Sequence, residues 1–198
     1  MKYNPGKKEI ICNKELNNLD KFALDFLQIV GKHVDYVVVA GYVSILLGRT
    51  RITEDIDVFI KKISKEKFIE LYKELLEKDF WCLNAENIDE IYGFLEDKLA
   101  VRFAYKNTSI PNFEVKFPKD KLDEEVFEDC IIVKLSSGKI KISSLERHIA
   151  FKKYFLGSDK DVEDALHIEA TFKEEIDDRK IKKLEELIKK RQNGKTIS

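Results

Sequence analysis

The chain has 198 residues, of which 43% are hydrophobic and 37% are charged. This composition supplies enough apolar material for a core and excludes a chain that is disordered throughout. The formal net charge is −1, so binding to nucleic acid would need a local basic patch. No apolar run is long enough to span a bilayer, and we therefore expect no contact with a membrane.

The N-terminus and the cysteines indicate a cytoplasmic protein. Residues 1–9 lack the apolar centre of a signal peptide. Cys12, Cys82 and Cys130 are odd in number and far apart, which favours neither a disulfide framework nor a structural zinc site. We therefore expect reduced thiols in the cytoplasm.

Hydrophobic periodicity predicts alternating helices and strands in the first third of the chain. Apolar residues recur at helical spacing over 15–31, and a β-branched run at 36–40 predicts a buried strand. The segment 42–47 is long enough for a short helix. Apolar and polar residues then alternate over 55–60, which predicts another strand, and Ser64 is placed to cap a further helix.

Two hairpins are predicted in the middle of the chain. Residues 99–105 and 112–117 each alternate between apolar and polar side chains, and a turn separates them. A second pair of strands, 130–134 and 140–142, flanks a Ser-Ser-Gly turn. Consecutive strands of this kind indicate antiparallel pairing within a sheet.

The pattern becomes helical near residue 143. Ser143 and Glu146 have the spacing of a capping box. Helices are expected over 144–156, 160–172 and 175–191. The sequence therefore predicts an α+β fold, with a mixed β-sheet core over 1–142 flanked by helices and a helical C-terminal lobe over 143–198.

Two carboxylates open the strand predicted over 55–60. Asp55 and Asp57 are two residues apart, so their side chains project from the same face of that strand. Carboxylates this close repel each other unless a cation lies between them. Their oxygens suit Mg²⁺, which keeps some waters and shares its shell with substrate phosphates.

The turn before the short helix has features of a phosphate site. Gly41 lacks a side chain, which lets backbone amides approach a phosphate at the start of the helix. Ser44 lies one turn further and could donate to a phosphate oxygen. Each feature also has a plainer explanation, because Gly41 would permit a tight turn and Asp-x-Asp is common by chance. Their order and spacing together favour the functional interpretation.

At these residues the sequence resembles the nucleotidyltransferase superfamily that includes DNA polymerase β. The closer likeness is to its small prokaryotic members of the AbiEii toxin type. In the superfamily a Gly-Gly or Gly-Ser follows the first strand, and Asp-x-Asp lies on the next strand. The positions that match the AbiEii-type pattern are Gly41, Gly48, Arg51, Thr53, Asp55, Ile56 and Asp57. Ala40 replaces the first glycine of that pattern.

The resemblance implies a third carboxylate on a later strand, usually an aspartate. The best candidate is Glu114, because its side chain lies on the opposite face from Phe113 and Val115. A glutamate is one methylene longer than an aspartate, which would shift a bound ion. Alternatively, Glu114 is a solvated strand residue paired with Lys116 or Arg102.

A second likeness to the AbiEii type covers residues 143–165. Its members carry a helix with a lysine, followed by a helix with the pattern Lys-Asp-x-x-Asp-Ala. The resemblance implies that Lys152 reaches the nucleotide phosphates, and that Lys160, Asp161 and Asp164 support the site or touch the nucleotide. Asp161 also suits the first turn of a helix without any such role.

Other charged residues have two interpretations. Arg51 could neutralise a triphosphate or could hold Asp55 in place. The basic segment 179–191 could bind an RNA acceptor or an acidic partner, or could be a solvated helix face. The histidines have no zinc-like spacing and are interpreted as structural or surface residues: His33, His148 and His167.

The sequence therefore predicts a metal-dependent nucleotidyltransferase. Mg²⁺, or Mn²⁺, held by Asp55, Asp57 and Glu114 would bind a nucleoside triphosphate such as ATP and promote attack of an acceptor hydroxyl on its α-phosphorus. Gly41 and Ser44 would contact the phosphates.

The acceptor stays open among tRNA or another RNA, a protein and a small molecule. The likeness to toxins implies a role in a toxin–antitoxin or phage-defence system, with a partner protein. The rival hypothesis is a non-catalytic nucleotide-binding or protein-interaction module on the same fold, which the departures at Ala40 and Glu114 favour.

Overall fold

A mixed β-sheet of nine strands organises residues 1–194, the part of the chain that the computed structural model describes. The strands are β1 (Lys2–Asn4), β2 (Glu9–Ile11), β3 (Tyr36–Val39), β4 (Asp55–Ile60), β5 (Phe80–Cys82), β6 (Val101–Tyr105), β7 (Asn112–Lys116), β8 (Ile131–Leu135) and β9 (Gly138–Ile142). Their order across the sheet is β1-β2-β8-β9-β3-β4-β7-β6-β5. The central strand β4 runs antiparallel to β3 and parallel to β7.

Helices follow most of the strands and supply the rest of the fold. They are α1 (Asn18–His33), α2 (Gly41–Leu46), α3 (Lys65–Glu77), α4 (Ile88–Glu96), α5 (Lys121–Glu124), α6 (Val126–Asp129), α7 (Leu145–Phe151), α8 (Asp159–Thr171) and α9 (Asp178–Gln192). A π-helical segment, Lys152–Leu156, continues α7 and ends at Gly157. Gly157 has φ of +70°, the left-handed conformation that glycine adopts without strain at a helix end.

Helix α1 covers one face of the sheet. Its first turn is fixed by a capping box, in which Asn17 and Asp20 each accept from the other's backbone N–H. Phe22 and Phe26 stack on Phe113 of β7, with ring centroids 4.7 and 3.9 Å apart. Because strand side chains alternate, this packing leaves every second side chain of β4 and β7 on the other face.

The register between β4 and β7 brings polar residues together on that other face. Asp57 is directly opposite Glu114, and Asp55 is directly opposite Asn112. The intervening residues of β4, such as Val58, are buried on the α1 side. A shift of one residue would bury the carboxylates, so the apolar pattern itself fixes this register.

The C-terminal helices pack around α7. Helix α7 contacts both α8 and α9, and α8 also contacts α2. Leu145 and Ile149 of α7 and Ile188 of α9 are almost fully buried at this packing. These contacts hold the start of α2 and the segment after α7 close to one end of β3.

The structure confirms the α+β fold and most of the predicted elements. The predicted helices, the strands at 36–40 and 55–60, and both hairpins are present within about three residues of their expected bounds. The predicted capping box at Ser143 and Glu146 is wrong. Ser144 caps α7 instead and accepts from the N–H of Arg147, while Glu146 accepts from the N–H of Asp177.

Short elements were not predicted. Strands β1, β2 and β5 have three residues each, too few for alternation to be visible. Helix α4 was also missed, as were the short helices α5 and α6. The division into a core, 1–142, and a C-terminal lobe, 143–198, stays a prediction, and residues 195–198 of that lobe lie outside the described residues. Among residues 1–194, no helix is both long and apolar enough to cross a membrane.

Candidate functional site

The carboxylates of β4 and β7 form an ion-paired cluster with two cationic side chains. The Lys116 ammonium lies 2.6 Å from Asp57 Oδ1 and 3.2 Å from Glu114 Oε2. Arg102 of β6 donates to Glu114 Oε1 from Nε at 2.9 Å and from Nη2 at 2.7 Å. Asp55 lies two residues before Asp57 and accepts a hydrogen bond from Thr53. We call Asp55, Asp57 and Glu114 the carboxylate cluster.

The members of this cluster differ in how well their charge is compensated. Burial raises the pKa of Asp57; Lys116 opposes this effect, and the charges of Glu114 and Asp55 add to it. Burial also acts to raise the pKa of Glu114, but hydrogen bonds from Arg102 and Lys116 outweigh it and leave that pKa below its ordinary value. Burial is therefore the main reason that the pKa of Asp57 stays above its ordinary value.

The donor set of the carboxylate cluster fits a divalent cation. Its oxygens are the ligand type that Mg²⁺ and Mn²⁺ accept, and a cation would offset the repulsion that Glu114 and Asp55 add to the effect of burial at Asp57. As the side chains stand in residues 1–194, no group of three or more His, Cys, Asp or Glu is arranged to hold an ion. The Lys116 ammonium occupies the space between Asp57 and Glu114.

The turn between β3 and α2 is strained at one residue and tightly packed at the next. Ala40 has φ of +56°, in the region that favours glycine. A Cβ at Gly41 would clash with the Arg51 guanidinium, so a larger residue would fit only if the Arg51 side chain moved. The two positions that the resemblance aligns with Gly-Gly therefore both have backbone or packing constraints that glycine satisfies.

Ser44 faces the interior. It is fully buried, and its hydroxyl shares a 2.8 Å hydrogen bond with His148 Nε2. Burial lowers the pKa of His148 to about 3, and the nearby Lys152 adds to this effect. His148 is therefore a neutral core residue, one of the structural histidines expected from the sequence. The structure does not bring the Ser44 hydroxyl to an open surface.

Arg51, Lys152, Asp161 and Asp164 form a buried ion network. Asp164 has no exposed surface and accepts from Arg51 Nε at 3.0 Å and from Nη2 at 2.9 Å. The Lys152 ammonium lies 2.7 Å from Asp161 Oδ1 and 3.0 Å from Asp164 Oδ2. Burial acts to raise the pKa of Asp161 and of Asp164, but Lys152 and Ser158 outweigh it at Asp161, and Arg51 and Lys152 outweigh it at Asp164, so each pKa lies below its ordinary value.

A cavity of about 220 Å³ lies between the sheet and the C-terminal helices. The end of β3 and Phe59 of β4 line it on the sheet side, and α7 with its π-helical extension lines it on the helix side. Lys116 and Lys152 also line the cavity, and these two lysines pair with Asp57 of the carboxylate cluster and with Asp161 of the buried ion network. Most of the surface facing the cavity is apolar, with Phe151 and Phe155 among its residues, and Lys119, Arg147 and Arg191 line it as well.

The structure brings together most of the residues that the sequence singled out. Asp57 and Glu114 are opposite each other, and Asp55 shares their sheet face. Glu114 also forms the ion pairs expected in the alternative interpretation, in which it is a strand residue paired with Arg102 or Lys116, since it pairs with both.

The proposed support of Asp55 by Arg51 is wrong: Arg51 binds Asp164, and Thr53 is the residue that contacts Asp55. Sequence reasoning missed Ser143 and Phe59 as cavity residues. Phe59 had a signal, because it continues the alternation of Asp55 and Asp57; Ser143 had none.

Comparison with known proteins shows the fold. No family model and no curated protein matches the sequence. An antigenic nucleotidyltransferase-like protein from Paracoccidioides brasiliensis has a similar structure, with a TM-score of 0.53 and 16% identity over 87% of this chain and 88% of that one.

The antibiotic-resistance factor ANT(2'')-Ia is also similar. Its solution structure gives a TM-score of 0.53 at 12% identity over 88% of this chain and 92% of that one. Its crystal structure with adenylyl-2''-tobramycin gives 0.54 at 12% identity over 89% of this chain and 99% of that one. Across the β-sheet and the helices around it, the chain has the fold of these nucleotidyltransferases.

Proposed function

We propose that this protein transfers a nucleoside monophosphate from a nucleoside triphosphate to an acceptor hydroxyl. The observation that carries the proposal is the placement of Asp57 opposite Glu114 on neighbouring strands, beside a cavity that Lys152 also lines. The fold shared with ANT(2'')-Ia supports the reaction class. A structure of that protein holds an adenylylated acceptor, which is the type of product proposed here.

Asp55, Asp57 and Glu114 would hold Mg²⁺ or Mn²⁺. Such ions supply charge compensation at the transferred phosphoryl group and lower the pKa of the attacking hydroxyl. Lys116 would serve as the counter-ion of Asp57 and Glu114 before substrate arrives, since its ammonium pairs with both. In the loaded site the same ammonium would be free to pair with a phosphate oxygen.

The residues around the cavity would bind and orient the triphosphate. Lys152 carries a positive charge at the cavity wall, and Asp161 keeps its ammonium in place. Gly41 leaves room for the Arg51 guanidinium above the start of α2, where Arg51 would add positive charge near the phosphates. Ser44 would act indirectly, because its hydroxyl is hydrogen-bonded to His148 and would keep that side chain in place.

The candidate acceptors are those proposed from the sequence, namely tRNA or another RNA, a protein, and a small molecule. The AbiEii-type motif supports a role in a toxin–antitoxin or phage-defence system with a partner protein. We propose ATP as the first nucleotide to test, because the complex of ANT(2'')-Ia contains an adenylyl group.

The test is transfer of label from α-labelled nucleoside triphosphates to components of a cell extract in the presence of Mg²⁺. We expect a labelled acceptor with the wild type and a loss of at least about 100-fold with Asp57→Asn, because charge compensation by a metal contributes several kcal/mol to the barrier. Asp178→Asn is the matched control, since Asp178 is exposed at the start of α9. Equal labelling by Asp57→Asn would contradict the proposal.

A non-catalytic nucleotide-binding module is the second candidate. It is favoured by Glu114, both of whose oxygens already have cationic partners. This candidate predicts nucleotide binding by calorimetry without labelling of any acceptor. Metal titration separates the two further: Glu114→Gln weakens Mg²⁺ binding if Glu114 is a ligand, and leaves the affinity unchanged if it only pairs with Arg102 and Lys116.

A further inference from the structure

Ser143, a residue of the cavity wall, has a buried hydroxyl without a hydrogen-bond partner among residues 1–194. Ser143 follows β9, is 2% exposed and lines the cavity between the sheet and the C-terminal helices. Its Oγ makes no hydrogen bond with any of the described residues. Buried polar groups are nearly always paired, so this hydroxyl needs a partner that the described residues do not supply.

The position of this hydroxyl is fixed by the fold. The backbone N–H of Ser143 donates to the carbonyl of Val38 at 3.0 Å, which ties the end of β9 to β3. The next residue, Ser144, caps α7. The backbone on both sides is therefore held, and the side chain has one torsion left with which to orient its Oγ toward a ligand.

The surrounding walls identify the chemical class of that ligand. The cavity volume of about 220 Å³ is far more than the roughly 15 Å³ that one ordered water requires. Val39, Phe59 and Phe151 provide apolar surface, which suits a flat organic ring and not a phosphate. Phosphates would bind near the cationic side chains that line the same cavity, which are Lys116, Lys119, Arg147, Lys152 and Arg191.

We propose that the Ser143 hydroxyl hydrogen-bonds the nucleobase of the bound nucleoside triphosphate. The inference rests on the proposed function, because it uses the same cavity. A hydroxyl both donates and accepts, so it can pair with a ring nitrogen, a carbonyl or an amino group on the base. Ser143 is thus a binding residue that orients the base while the triphosphate extends toward the carboxylate cluster.

The test compares Ser143→Ala with the wild type by calorimetry in Mg²⁺. The probes are the non-transferable α,β-methylene analogues of the four ribonucleoside triphosphates and ribose 5-triphosphate, which lacks a base. We expect Ser143→Ala to bind the preferred nucleotide analogue about 3- to 10-fold more weakly and to bind ribose 5-triphosphate unchanged. Thermal unfolding without ligand should show a Tm at least as high as that of the wild type, because the substitution removes an unpaired buried hydroxyl.

Ser64→Ala is the control, because Ser64 caps α3 away from the cavity. It should lower the Tm and leave nucleotide affinity unchanged. Unchanged affinity of Ser143→Ala for every analogue would overturn the inference. Equally weakened binding of ribose 5-triphosphate would also overturn it, because Ser143 would then contact the sugar and not the base. Loss of labelling by Asp57→Asn in the transfer assay would then still support the proposed function. A wild type that binds none of the probes would refute both.

Discussion

Ala40 holds a backbone conformation that a glycine would hold with less strain. Its φ of +56° lies at the junction of β3 and α2, beside the cavity. A non-glycine residue in such a region costs of order 1–3 kcal/mol, whereas the added backbone entropy of glycine costs about 0.5–1 kcal/mol. The strain therefore exceeds the entropy term at this position.

Ala40→Gly should stabilise the protein by about 1 kcal/mol, measured by urea unfolding. Ala170→Gly is the matched control, because Ala170 is an exposed residue of α8, where glycine lowers stability by up to about 1 kcal/mol. A loss of stability in Ala40→Gly as large as that of Ala170→Gly would show that φ at Ala40 carries no strain.

His148 makes stability depend on pH through its burial. Burial lowers its pKa in the folded protein to about 3 from the ordinary value of 6.5, so between these values the unfolded chain binds a proton that the folded one does not. The contribution to stability is present above pH 6.5 and is lost as the pH falls through this window, at about 1.4 kcal/mol per pH unit.

His148→Gln removes this titration and keeps a polar group near Ser44. We expect the unfolding free energy of the wild type to fall by about 1.4 kcal/mol per pH unit more than that of the variant between pH 6.5 and pH 5. Urea titrations at several pH values measure the difference. Parallel curves for the two proteins would mean that His148 is protonated in the fold.

At the scale of elements, Asp164 joins three segments of the chain. It lies on α8 and binds Arg51 from the loop before β4 and Lys152 from the end of α7. Arg49 Nε also lies 3.6 Å from Asp164 Oδ1. A buried carboxylate with three cationic partners resists removal, because each partner is left with a charge that is less well compensated.

Asp164→Asn should therefore cost about 3–5 kcal/mol of stability. Glu163→Gln is the control on the same helix, since the Glu163 side chain is 62% exposed where it pairs with Arg49, and such surface pairs contribute about 1 kcal/mol or less. Chemical denaturation of both variants measures the two losses. Equally small losses of unfolding free energy in both variants would show that the buried ion network does not stabilise the fold.

The elements also show what the sequence could and could not predict. Alternation predicted β4 and β7, and spacing placed Asp55 and Asp57 on one face, because both patterns are local. The opposition of Asp57 and Glu114 depends on parallel pairing across α3, β5, α4 and β6, which no local pattern contains. The burial of Ser143 likewise depends on how α7 closes over the end of the sheet.

At the scale of the whole molecule, the cavity joins the sheet to the C-terminal helices. Residues of β3 and β4 form one wall and residues 147–156 form another. A ligand bound between them would slow the opening of both parts, since it binds the closed fold and not the open one. Binding should therefore be visible far beyond the residues in direct contact.

Hydrogen exchange measures this coupling. Adding a non-transferable nucleotide analogue with Mg²⁺ should increase amide protection both in β3 and β4 and in α7 with its π-helical extension. Helix α4, which lies away from the cavity, is the internal control. Increased protection confined to one wall would show that the ligand does not bridge the two.

The pairing of β2 with β8 has a consequence for how the chain is made. Ile10 lies opposite Val133, so β2 finds its neighbour only after β8 has been synthesised. The charges of Lys7, Lys8 and Glu9 would reduce aggregation of β1 and β2 while these strands are unpaired. Deleting residues 1–11 would turn β8 into an open edge of the sheet, and such a shortened chain would be prone to self-association.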